Sequence, residues 1–222
     1  MTPPSPLLAA PSHALAAPLL AERGIEHGFG LRGTAAPEGC VFPKQVHGVA
    51  VHAVADGEAP EHAAAVSADA IVTRSPGAVV GIVTADCVPI LVATRDGAAV
   101  GAIHAGWRGL AAGVIEAGVA AIVGPDGPAS CLAAIGPAAR SCCYEVDAPV
   151  REGLAGRYAA LLEGVLTPGR PDRFQLDLPA LAERVLHSIG VKSTHLADLT
   201  RSCTICDAAR FESYRRDGTA AG

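Results

Sequence analysis

Apolar residues along this chain gather into short, punctuated runs. Val49–Val54, Ala70–Thr73, Val79–Thr84, Val88–Ala93 and Ala98–His104 are rich in small and β-branched residues and bounded by Gly, Pro or Asp, so each predicts a strand. Leu110–Val123 is longer and predicts a helix ending at Gly124-Pro125. Cys131–Ile135 predicts a further strand, stopped by Gly136-Pro137. Pro149–Leu162 predicts a helix after Asp147. Leu178–Ile189 predicts another, capped by Asp177 or Leu178, with Pro179 in its first turn. Pro168–Arg173 reads as a loop. Strands and helices mix without strict alternation, which points to an α+β fold on a mixed sheet in one domain.

Composition narrows the class. Of 222 residues, 50% are apolar and 18% charged, the profile of a globular chain with one sizeable core. Aromatics make up only 4%, so Ala and Val must fill that core. A formal net charge of −5 with no long basic run argues against a nucleic-acid partner. Seven cysteines in a chain too large to need disulfide staples favour a reducing, cytoplasmic location. The stretch Met1–Leu20 lacks a basic start, and Pro3, Pro4, Pro6, Pro11 and Pro18 interrupt it. Residues 1–24 are expected to be an N-terminal leader with one short helix, and residues 25–222 the single domain. No stretch approaches the roughly 20 uninterrupted apolar residues of a membrane span.

Three segments carry the candidate chemistry: Lys44-Gln45-Val46-His47-Gly48, Thr84-Ala85-Asp86-Cys87 and Ile103-His104-Ala105-Gly106-Trp107-Arg108-Gly109. Two imidazoles and one thiol suit zinc or copper, and a three-ligand set leaves a coordination position open for catalysis. Arg95-Asp96-Gly97 is a turn signal. A four-residue loop from Thr94 to Gly97 would pair Ala93 with Ala98 and set Cys87 opposite His104, on one face. A two-residue loop at Asp96-Gly97 would shift the pairing by two and bring Val88-Pro89 nearer His104. Asp86 is a candidate to orient a ligand imidazole or to act as general base. Arg108, beside the start of the expected helix, is a candidate anion ligand. Trp107 reads as core packing.

These segments resemble the multicopper polyphenol oxidase (laccase-type) domain family, which is better described as zinc-dependent purine nucleoside phosphorylases with side activities. The resemblance rests on Phe42-Pro43-Lys44-Gln45-Val46-His47-Gly48, Ala68-Asp69-Ala70, Val83-Thr84-Ala85-Asp86-Cys87-Val88-Pro89-Ile90 and Ala102-Ile103-His104-Ala105-Gly106-Trp107-Arg108-Gly109. It continues through Ile135-Gly136-Pro137, Cys143-Tyr144-Glu145-Val146 and Ser213-Tyr214-Arg215-Arg216-Asp217-Gly218. It implies a layered α/β/β/α sandwich and metal ligation by His47, Cys87 and His104. The chain departs from the family pattern in the short stretch Gly30 to Val41, in Glu212 where a second Phe is usual, and in stopping at Gly222.

The implied reaction is phosphorolysis of adenosine, inosine or guanosine, with methylthioadenosine as another substrate, to free base and ribose 1-phosphate. Adenosine deamination is an implied side activity. Arg108, Lys44, Arg215 and Arg216 are the phosphate candidates, although Arg215-Arg216-Asp217-Gly218 reads equally as a solvated turn with an ion pair. Multicopper oxidation is discounted, because one His-Cys-His site cannot store several electrons. Two alternatives stand beside this reading. In one, Cys87 is the nucleophile of a hydrolase acting on an amide or peptidoglycan-precursor substrate, with His104 as its base. In the other, the chain stores metal through Cys203-Thr204-Ile205-Cys206 and Cys142-Cys143. One Cys-x-x-Cys without a partner pair favours simple packing over that role.

Overall fold

In the computed structural model the described residues are 14–196 and 202–218. In chain order they form β1 (Ala14–Leu15), α1 (Pro18–Ala21), β2 (Phe29–Gly30), β3 (Val51–Val54), α2 (Pro60–Ala65), β4 (Ala70–Thr73), β5 (Val88–Thr94) and β6 (Val100–Ala105). Then come α3 (Trp107–Ala112), α4 (Val114–Val123), β7 (Cys131–Ile135), β8 (Glu145–Val146), α5 (Ala148–Tyr158), β9 (Leu166–Pro168), β10 (Phe174–Leu176), α6 (Leu178–Ser188), β11 (Ser193–Leu196) and α7 (Tyr214–Asp217).

The centre is a six-stranded sheet in the order β11-β7-β5-β6-β4-β3. Its inner pairings are antiparallel, whereas β3 runs parallel to β4 and β11 parallel to β7. The fold is therefore a mixed-sheet α+β domain, as the irregular element pattern predicts. Side chains alternate between its two faces as strand geometry requires. From β7, Cys131, Ala133 and Ile135 enter the main core under α4 and α6, while Leu132 and Ala134 enter a smaller cluster with Ala17, Leu20 and Phe29. Ile71 and Ala102 meet Val41, Val54 and Ala63 of α2 on that second face. With both faces covered, the strands read as continuous apolar runs. The N-terminal residues from Ala14 to Ala21 lie on the second face, through β1 pairing with β2 and Leu20 buried against the sheet.

Three local expectations are corrected. Val79–Thr84 is not a strand: Val83 is 61% exposed, and only an isolated bridge from Val80 to Val41 remains. The expected helix Leu110–Val123 begins earlier, at Trp107, and is cut in two by Gly113. The φ of +99° at Gly113 is a left-handed conformation that glycine adopts without penalty. The β5–β6 register sets Ala93 opposite Val100 and Pro89, not Cys87, opposite His104. The register is the one a two-residue turn would give, but Thr94 and Ala99 close a four-residue connection over 95–98, through Thr94 N–H to the Ala99 carbonyl at 2.9 Å, while Thr94 Oγ1 donates to Asp96 at 2.6 Å. A slip of two residues leaves every side chain on its face. Cys87, just before β5, therefore stays on the side of the sheet that His104 occupies, diagonal to it.

Candidate metal centre

His104 on β6 is buried, and its Nδ1 lies 2.8 Å from Asp69 Oδ1. With Nδ1–H donating to that carboxylate, Nε2 keeps a lone pair for a ligand. Burial pulls the His104 pKa below its ordinary value, and His47 adds to this; the bond to Asp69 only partly opposes it. The ring is thus neutral, the form that binds metal.

Asp69 sits at the end of the loop entering β4 and is fully buried. Besides His104, its carboxylate accepts the backbone N–H groups of Val46 (3.2 Å), His47 (2.8 Å) and Gly48 (2.6 Å). Its own carbonyl accepts His104 N–H at 2.7 Å. Burial acts to raise its pKa, but the His104 bond and the three backbone donors outweigh it and hold the group below the usual range. One carboxylate therefore positions two of the candidate ligands. A second device ties the His47 loop to the Cys87 loop. The Gln45 amide donates to the Val83 carbonyl (2.7 Å) and accepts from Val83 N–H (2.8 Å), as a neighbouring strand would.

His47 and Asp86 both have left-handed backbones, with φ of +60° and +85°. These turns bring Cys87 Sγ to 3.7 Å from His47 Nε2, and the two imidazole rings meet edge-on at 4.8 Å between centroids. A ligand atom from each of His47, Cys87 and His104 lies within 4.8 Å of the others. Around tetrahedral zinc, an imidazole nitrogen and a thiolate sulfur stand about 3.6 Å apart, so the pair is spaced for one ion. Gly106 keeps the space clear: a Cβ there would lie 2.8 Å from Cys87 Sγ and 2.9 Å from His47 Cδ2. Burial first, then the Asp86 and Asp69 carboxylates, push the Cys87 thiol up to about 12. It becomes a thiolate when a cation arrives to hold it. Donor type, spacing and cradle all fit a metal ion.

The other candidates fall into place unevenly. Asp86 does not touch either imidazole. Its carboxylate accepts Thr204 Oγ1 (2.6 Å), Ser213 Oγ (3.0 Å) and Arg215 N–H (2.7 Å), so it anchors the C-terminal segment, and the orienting role falls to Asp69. Arg108 is exposed, stacks on Trp107 at 4.5 Å and is the second residue of the six-residue α3. Lys44 is exposed, and its backbone pairs with Val66 and Ala68. Arg215 lies over the Tyr144 ring at 4.9 Å and donates to the Glu145 carbonyl, beside the anchor that leads to Cys87. Arg216 binds Asp217 and the carbonyls of Thr204, Ile205 and Phe211, the structural half of the reading for that turn. Asp69 and Gln45 were not singled out as functional from sequence. A lone acid between Ala68 and Ala70, entering an all-apolar strand, was the available signal.

The fold is a mixed-sheet domain that gathers three candidate metal donors, His47, Cys87 and His104, at one end of its central hairpin. The chain belongs to the family described as multi-copper polyphenol oxidoreductase laccase, whose model matches residues 30–222. It is 40% identical over 183 residues to a Xylella fastidiosa protein named purine nucleoside phosphorylase, covering 78% of this chain. The chain spans 66% of that relative's length. It is 32% identical over 189 residues to adenosine deaminase RL5 from an unknown prokaryotic organism, covering 82% of this chain and 71% of that one. The crystal structure of YlmD from Geobacillus stearothermophilus superposes with a TM-score of 0.74 at 31% identity, covering 83% of this chain and 71% of that one. Among the described residues, no helix is long and apolar enough to cross a membrane.

Proposed function

We propose that the chain is a zinc-dependent purine nucleoside phosphorylase, working on adenosine, inosine or guanosine with inorganic phosphate in the cytoplasm. The observation that carries this reading is the convergence of His47, Cys87 and His104 on one point, with Asp69 fixing both histidines. The phosphorylase name of the relative at 40% identity supports it. In the reaction a phosphate oxygen forms a bond to the anomeric carbon as the C–N bond breaks. The bonding pair leaves with the base, which takes up a proton. A zinc ion held by His47, Cys87 and His104 would supply Lewis acidity against the negative charge that develops on the base. Arg215, carried next to the site by its bond to Asp86, is the leading phosphate ligand, with Lys44 and Arg108 as the outer cations. Asp86 acts as a positioning residue for Arg215.

Deamination of adenosine is the second activity the site would support, and the name of the relative at 32% identity favours it. A cysteine hydrolase has less support. Its nucleophile needs a lowered pKa, and here burial and two carboxylates push Cys87 to about 12. The histidine nearest the sulfur is His47, whereas the expected base was His104.

Incubating the zinc-loaded protein with adenosine, with and without phosphate, tests the reading by chromatography of the products. Phosphate-dependent adenine, lost in Cys87→Ala, is the expected result. Inosine formed regardless of phosphate would assign the deaminase instead. No turnover of any purine nucleoside would overturn both.

A further inference from the structure

Away from His47, Cys87 and His104, a second group of donors has come together. Cys142 and Cys143 lie in the turn before β8, and Cys203 and Cys206 in the turn before α7. Their four sulfurs lie within 4.8 Å of one another, with Cys143 and Cys206 at 2.7 Å and Cys142 and Cys206 at 3.4 Å. None is in a disulfide. A tetrahedral zinc tetrathiolate has sulfurs about 3.8 Å apart, so small side-chain rotations would seat one ion.

Local backbone supports the same assignment. Cys203 is buried, and its sulfur receives backbone N–H groups from Cys206, Arg140 and Ile205. N–H groups from the second and third residues after a cysteine, folded back onto its sulfur, form a nest for thiolate charge. Disulfides are the competing chemistry: Cys143–Cys206 would use two of the thiols, and Cys142–Cys203 beside it would use all four.

We propose that Cys142, Cys143, Cys203 and Cys206 form a second metal centre, a closed tetrathiolate site for one structural zinc ion. Binding replaces the remaining S–H bonds by zinc–sulfur bonds and releases those protons to solvent. The ion fastens the C-terminal segment to the turn that precedes Tyr144. Thr204, Ser213 and Arg215 reach Asp86 from that segment, and Arg215 lies on Tyr144, so the clamp holds the wall of the first site. The inference stands whether or not the first site is a phosphorylase.

Protein purified in reducing, chelator-free buffer would be assayed for zinc by plasma mass spectrometry. The Cys142→Ser/Cys206→Ser double variant is expected to hold one zinc per chain fewer than the parent, while His47→Ala keeps that ion. If the double variant fails to fold, cobalt loading of the unaltered protein decides. Its sulfur-to-cobalt charge-transfer band should carry the intensity of four or five thiolates, about four- to fivefold that of a one-thiolate site. Equal zinc in parent and double variant, a band of one-thiolate intensity, or a zinc-free chain lighter by two or four hydrogens would each overturn the proposal.

Discussion

Gly106→Ala places a single methyl group where the three candidate metal ligands converge. The added Cβ would stand 2.8 Å from Cys87 Sγ and 2.9 Å from His47 Cδ2, about 1 Å inside the resting separation of nonbonded heavy atoms. Metal–ligand distances tolerate shifts of only about 0.2 Å. Cys87 or His47 must therefore withdraw by several times that tolerance, and zinc affinity should fall by about 100-fold or more, about 2.7 kcal/mol. The backbone itself offers no obstacle, since φ is −74° and ψ 164° at Gly106, open to any residue. Crowding should cost the metal-free fold about 1–3 kcal/mol, offset by about 0.4–1 kcal/mol from a less flexible unfolded chain. The check pairs a competition titration against a zinc-binding dye with urea unfolding of the metal-free protein. Unchanged zinc affinity in a folded variant would refute the geometry.

Asp69→Asn leaves one acceptor oxygen where His104 and three backbone N–H groups now share a carboxylate. It should weaken zinc binding about 10–100-fold. Because the Asp69 pKa is depressed in the folded protein, its stabilisation is present above the ordinary value of 3.8 and fades as pH falls below it. Urea unfolding of the metal-free protein should therefore show a steeper acid loss in the parent than in Asp69→Asn. Gln45→Ala removes the two amide bonds to Val83 and should cost about 1–2 kcal/mol in thermal or urea unfolding. Arg215→Gln should raise the KM for phosphate at least about tenfold, the loss of one charge-assisted contact, with zinc content unchanged by mass spectrometry.

Much of the sheet was legible because both of its faces are buried. Ala70–Thr73 and Cys131–Ile135 fall where the apolar runs place them, since a strand covered on two sides has a continuous signature. Val79–Thr84 carries the same signature without the burial. Apolar content alone did not distinguish a strand from a loop that pairs with a glutamine side chain. The three candidate ligands were legible in the sequence and the fold brings them together, but the groups that position them were not legible. Asp69 acts through backbone N–H groups of a loop more than twenty residues earlier, and nothing in the spacing of Asp86 announces that its partners are Thr204, Ser213 and Arg215. The four-cysteine cluster was discounted for the same reason. Its halves are separated by 63 and 64 positions, and only the fold closes that gap.

The left-handed backbone at His47 sets two demands against each other. A side chain with a Cβ adopts φ of +60° at a cost of about 1 kcal/mol, and glycine would adopt it freely. That gain in His47→Gly is set against the greater freedom of glycine in the unfolded chain and the loss of the edge-on contact with His104. The three backbone bonds to Asp69 hold the strained loop closed, so the same carboxylate that orients His104 also keeps His47 in its unfavourable backbone.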